Sequence, residues 1–245
     1  MKKLVLYFTA TLLVAFLSSC SDDKSTTPDT SSGTGLPLAV GNMWKYDTYE
    51  VDANGNPIGS KLSSYTSTIN GSVTLGGKNA YMIIDEYDNS LDTSYIATDD
   101  NGIYGYFSPE LVGGSALWLK SIDFKNTKWD IFKLDIDETD EEEGTTTKGI
   151  SGMKGERIAS SKVTYKNKSY DAQNYLNITY SDVVYTYLDE NEEPVSETQS
   201  SSDTTYITLI PGLGVYSSTS SEVNFIEGEV IIKTLKDILV DHNLK

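Results

Sequence analysis

The sequence predicts a mainly β fold: a single antiparallel curved sheet, as a half-barrel or a barrel, with little helix. Three observations carry this. Apolar and polar residues alternate with a period of two through most of the body. Turn-forming dipeptides recur between those runs. Stretches of helical periodicity are nearly absent.

The clearest run is Asn174 to Tyr180, in which Leu176, Ile178 and Tyr180 share one face and Tyr175, Asn177 and Thr179 the other. Such a pattern of β-branched and aromatic residues suits a half-buried strand. Trp118, Ile122 and Phe124 follow the same spacing, interrupted by Lys120. Ala80, Met82 and Ile84 oppose Tyr81, Ile83 and Tyr87, so this strand is apolar on both sides and belongs in the middle of a sheet. The punctuation is Asn54-Gly55-Asn56-Pro57, Asn70-Gly71, Gly76-Gly77, Asn101-Gly102 and Glu227-Gly228. Asn-Gly supplies the positive φ angles of tight hairpins. Near the C-terminus, Leu235, Ile238, Leu239 and His242 fit one helical turn after another, but they equally continue the strand that starts at Glu229.

Ahead of the β domain, at residues 36–245, stand two other segments. Residues 1–19 have a cationic start at Lys2 and Lys3, an apolar run from Leu4 to Phe16, and small residues after it, the layout of a secretory signal. The run is shorter than the roughly 20 apolar residues of a membrane-spanning helix. Leu17-Ser18-Ser19-Cys20 resembles the lipobox of bacterial lipoproteins. That resemblance implies cleavage before Cys20, a thioether lipid on its thiol and an acyl chain, such as palmitate, on the new amine. Two or more chains anchor a protein stably. Ser21-Asp22-Asp23 resembles the Ser-plus-acidic tag that, in one phylum of Gram-negative bacteria, directs lipoproteins to the outer face of the outer membrane. The expected location is the outer membrane, with surface exposure. Residues 20–35 hold the lipidated Cys and a tether rich in Ser, Thr, Gly and Asp, with a root-mean-square reach of roughly 20 Å. Cys20→Ala is expected to abolish membrane association and leave the precursor uncleaved. Cell fractionation with intact-mass measurement checks this; a mature protein with an unmodified N-terminus at another residue contradicts it.

Loss of residues 1–19 removes two lysines and no acid, which deepens the formal charge from −17 to −19. Nucleic acid and anionic lipid surfaces both need a basic patch, so neither is an expected partner. Cys20 is the sole cysteine and its thiol goes to the lipid, which leaves no disulfide, no catalytic thiol and no cysteine metal site. The sole histidine, His242, reads as a solvated tail residue. The sole arginine, Arg157, is too little for the usual clamp on phosphate or carboxylate substrates. No motif selects a carboxylate pair for glycoside hydrolysis. No catalytic residue, metal site or cofactor is assigned, and the chain is not expected to be an enzyme.

The most charged stretch, Asp135 to Gly144, lacks the residues that an EF-hand loop needs at positions 139, 140 and 146. It reads as a solvated, disordered hairpin loop. Trp118, Trp129, Tyr104 and Tyr106 are the aromatics to test for a shared exposed patch able to stack on sugar rings.

Two stretches carry a resemblance. Leu36-Pro37-Leu38-Ala39-Val40-Gly41-Asn42-Met43-Trp44-Lys45-Tyr46 resembles the PLxVGNxWxY opening of many bacterial lipoproteins of unknown function. Pro211-Gly212-Leu213-Gly214-Val215-Tyr216 resembles their closing PGxGxV turn. Several of those proteins are similar to the half-barrel of periplasmic lipoprotein carriers (LolA-like), which implies a non-enzymatic domain that holds an apolar or amphiphilic ligand. Those carriers close their concave face with amphipathic helices, of which this sequence has almost none. Gly41 and Trp44 also resemble the Gly-x-Trp opening of lipocalins, one residue longer, which makes a lipocalin-like barrel the alternative. A surface glycan-binding module of a polysaccharide-uptake system is the alternative function. Trp44 itself reads as a large apolar plug on the first strand.

Overall fold

The computed structural model describes residues 36–107, 117–141, 144–189, 191, 193–226 and 229–245. The signal, Cys20, the tether and the Glu227-Gly228 turn lie outside them. Among the described residues there is no helix, and the strands form one antiparallel sheet nearly closed into a barrel. The first six strands are β1 (Met43–Glu50), β2 (Ser63–Leu75), β3 (Lys78–Glu86), β4 (Leu91–Asp99), β5 (Gly102–Phe107) and β6 (Leu117–Asp123). The second six are β7 (Lys128–Asp140), β8 (Thr145–Tyr165), β9 (Lys168–Leu188), β10 (Pro194–Ile210), β11 (Gly214–Ile226) and β12 (Glu229–Asn243).

Each half is a meander of neighbouring hairpins. The order β6-β5-β4-β3-β2-β1-β12-β11-β10-β9-β8-β7 joins the halves where the first strand pairs with the last. That pairing runs from Met43↔Asn243 to Glu50↔Leu235. The C-terminal segment is therefore strand, and Leu239, 2% exposed, points into the core opposite Tyr46. The two edges, β6 and β7, are consecutive in sequence and curl towards each other. Twelve strands separate this sheet from the eight-stranded lipocalin barrel.

Gly76 and Gly77, at φ of 52° and 77°, make the β2–β3 hairpin as the sequence suggests. Lys166 and Asn167, at 46° and 63°, make the β8–β9 hairpin with no glycine to mark it. Asn70-Gly71 is not a turn. Ile69 pairs with Ile83 and Gly71 with Met82, so Asn70 is the extra residue of a bulge within β2. A second bulge corrects the face assigned to Trp118 and Ile122. Ile122 pairs with Ile103 but Lys120 pairs with Tyr104, so Ser121 is unmatched and Ile122 turns inward while Trp118 and Lys120 stay outside.

The acidic stretch is also corrected. Asp135 to Asp140 continue β7, paired through Asp140↔Thr145. Leu134 and Ile136 sustain the alternation through the acids. Lys133 and Lys148 offset the outward Asp135 and Asp137 at 3.2 and 3.3 Å.

One end of the barrel is sealed by the two motifs, which meet there. Trp44, 5% exposed, donates from Nε1 to Leu213 O at 2.6 Å, and Tyr46 donates from its hydroxyl to Val215 O at 2.9 Å. Gly214 has a φ of +109°, and a Cβ there would stand 3.0 Å from the Trp44 indole nitrogen, so only glycine fits. Asn42, fully buried, donates to Pro37 O at 2.5 Å and accepts from Lys245 N at 2.8 Å. Around them Ile69, Tyr81, Tyr165, Ile210, Leu213 and Leu239 pack one core across the interior.

Candidate functional site

The opposite end is the mouth, where the β1–β2, β3–β4, β7–β8 and β9–β10 connections lie. Its inner wall on β1 to β4 and on β11 and β12 is polar. Strand alternation sets inward residues at every second position, and register then aligns them across strands. Tyr46 faces Tyr65, Ser67 faces Asp85, Asp85 faces Asp92, Thr48 faces Asp237, and Asp237 faces Ser218.

Three tyrosines form a ladder from the core to the mouth. The Tyr46 and Tyr65 rings stack at 5.0 Å with 20° between planes, and Tyr65 and Tyr87 at 5.1 Å with 28°. Tyr46 is buried, whereas Tyr87, the last rung, is 38% exposed. Asp237 stands beside the ladder and accepts from Thr48 Oγ1 at 2.7 Å, Ser218 Oγ at 3.3 Å and Tyr65 Oη at 3.4 Å. None of the ion pairs among the described residues involves Asp85, Asp92 or Asp237.

Burial pushes the Asp237 carboxyl above its usual range, although bonds from Thr48, Ser218 and Tyr65 pull the other way. Burial also raises Asp85; the Ser67 hydrogen bond opposes this, while Asp92 and Asp237 add to it. Burial, with Asp237 and Asp85, raises Tyr65, and burial with Asp85, Asp92 and Asp237 pushes Tyr87 up to about 12, so both hydroxyls keep their protons and serve as donors. A carboxyl whose folded pKa is raised contributes stability that is complete below its unfolded value and is lost as pH rises through the folded value. Asp85→Asn is therefore expected to raise the melting temperature at pH 7, with the gain shrinking towards pH 4. Melting curves at both pH values check it; a loss at pH 7 contradicts it.

Of the four aromatics singled out in the sequence, three come together. Tyr104, Tyr106 and Trp118 occupy the outer face of β5 and β6. Tyr106 meets Trp118 edge-on at 5.2 Å and 63°, and Trp118 Nε1 donates to Leu75 O at 2.8 Å. Lys78 covers the Tyr104 ring at 4.1 Å. Tyr106 and Trp118 are half-buried rings packed edge-on, not a flat platform. Trp129 lies on the other side of the sheet, where its Nε1 donates across the seam to Lys120 O at 3.0 Å. A Cβ on Gly155 would overlap its indole. Beside it is a shallow depression of about 360 Å³ with Lys128, Asp130, Lys154, Glu156 and Ile178 around it.

His242 is not a solvated tail residue. It sits in β12 opposite Trp44, half-buried, with Nδ1 2.9 Å from the Tyr165 hydroxyl, and burial lowers its pKa. Arg157 donates from Nη1 to Phe124 O at 3.0 Å and so braces the β6–β7 turn. Among the described residues no group of three or more His, Cys, Asp or Glu is placed to hold a metal ion. The mouth was missed in the sequence because its members come from six strands. Only the alternation of Tyr46 with Thr48 and of Asp85 with Tyr87 hinted that polar and aromatic residues share a face.

Neither a known protein family nor a curated protein matches the chain. Two solved structures are similar to it. One is a provisionally assigned lipoprotein from Parabacteroides distasonis, with a TM-score of 0.45 and 11% identity over 87% of this chain and all of that one. The other is a provisionally assigned exported protein with a YmcC-like fold from Bacteroides fragilis, with a TM-score of 0.44 and 9% identity over 86% of this chain and all of that one.

Proposed function

We propose that this chain is a non-enzymatic binding protein, held at the outer membrane through lipid on Cys20, whose barrel mouth takes a polyhydroxylated, glycan-like ligand. The observation that carries this is the tyrosine ladder, which ends in the exposed Tyr87 ring beside Asp85, Asp92 and Asp237. An aromatic face with carboxylate acceptors and hydroxyl donors around it suits a ring that is apolar on one side and hydroxylated at its rim. The apolar-ligand reading implied by the carrier resemblance has less support. Trp44, Tyr46, Ile69, Tyr81, Tyr175 and Leu239, each at most 7% exposed, fill the described interior where such a ligand would lie.

The absence of enzymatic activity rests on how the scarce catalytic residue types are used. His242 and Arg157 are both engaged in holding the sheet together, and Cys20 is committed to lipid. Retention of the full chain on a glycan panel, run beside native mass spectrometry for co-purified lipid, tests the proposal. Retention by glycans supports it; bound lipid without glycan retention favours the carrier-like reading instead.

A further inference from the structure

The nearly closed sheet leaves two edges, and they differ. A side chain from across the seam caps β6: Trp129 Nε1 donates to Lys120 O at 3.0 Å. The strands β6 and β7 meet at the 124–127 turn, but β7 has 13 residues and β6 has 7. The second half of β7 therefore runs past β6, and no described strand pairs with its outer edge.

An edge strand presents alternate N–H and C=O groups with no partner. Over residues 134–137 its two faces have opposite character. Asp135 and Asp137 point outward with side chains 82% and 72% exposed. Leu134 and Ile136 point to the inner face and are half-buried. Charges on an edge commonly keep sheets from pairing with one another. Lys133 and Lys148 pair with these two acids at 3.2 and 3.3 Å, but Glu138 and Asp140 add further acids to the end of the strand, so the edge as a whole attracts a segment of opposite sign.

We infer that the free edge of β7 takes an extended segment of a partner protein in which basic and apolar residues alternate. Added as a further strand, the segment sets its Lys or Arg residues opposite Asp135 and Asp137 and its apolar residues opposite Leu134 and Ile136. Main-chain bonds give the affinity and the alternating side chains the selectivity. This surface lies on the strand beyond the ladder and does not depend on the glycan reading.

The test uses the full lipidated chain in detergent and two peptide probes of equal charge, (Lys-Val)4 and the same peptide with every backbone amide N-methylated. An N-methylated amide cannot donate to a ladder at any position, so strand addition predicts binding of the first only, with slowed amide hydrogen exchange at residues 133–140. D135K/D137K turns two favourable cross-strand pairs into repulsive ones and should weaken that binding by about tenfold or more. D88K/D171K makes the same change of charge elsewhere and should leave binding unchanged. Equal binding of both peptides, no binding of (Lys-Val)4, or insensitivity to D135K/D137K overturns the inference.

Discussion

Trp44→Ala is expected to lower the unfolding free energy by about 4 kcal/mol, the range for truncation of a buried large aromatic. Trp44 fills the sealed end and ties β1 to the turn before β11 through its bond to Leu213 O. A loss of that size in a domain near 200 residues moves the melting temperature down by roughly 8–16 °C. Trp44→Phe keeps much of the packing but orphans Leu213 O, which costs about 1–2 kcal/mol. Thermal and urea unfolding of the two variants separate packing from hydrogen bonding. A loss below about 1 kcal/mol for the alanine variant would mean that the two motifs do not hold each other.

Asp123→Ala is expected to cost roughly 3 kcal/mol, because it strips several charge-assisted bonds from a site that is only 2% exposed. The carboxylate accepts from Lys125 N at 2.8 Å, Asn126 N at 2.9 Å, Asn126 Nδ2 at 3.0 Å and Lys120 Nζ at 3.0 Å. Burial alone would raise its pKa; the bonds from Asn126, Lys120 and Lys125 overcome that and hold it well below the usual carboxylate range. A folded pKa that is depressed gives stability present above the unfolded value and lost as pH falls through the folded one. The wild type and the variant should therefore differ most near neutrality and converge in strong acid. A difference that stays constant with pH would show that the turn does not depend on the ionised carboxyl.

Local alternation made the β class and the strand at Asn174 to Tyr180 legible in the sequence, because inward and outward positions there follow period two without interruption. It failed where a single residue breaks the count. The bulges at Asn70 and Ser121 reassign faces, and nothing in Asn70-Gly71 or in Leu117 to Asp123 marks them beforehand. The acidic stretch was misread because its charge suggested an open loop, whereas Leu134 and Ile136 kept it in the sheet. Trp44 was legible as a plug, but its partner Leu213 lies 169 residues away and only the closed sheet joins them. The mouth is hidden for the same reason: Tyr65, Asp85, Ser218 and Asp237 are neighbours only through register. His242 was misplaced because proximity to a chain end says nothing about pairing with the first strand.

The ladder's last ring is proposed to stack on the glycan. This stacking is tested most directly by measuring the affinity of the best glycan from the panel for the wild type and for Tyr87→Ala. Base-like stacking losses on removing one ring amount to 1–3 kcal/mol, so a weakening of roughly 5- to 150-fold is predicted, with the melting temperature nearly unchanged because Tyr87 lies at the exposed rim. Unchanged affinity in Tyr87→Ala would contradict the account and place the ligand elsewhere on the protein.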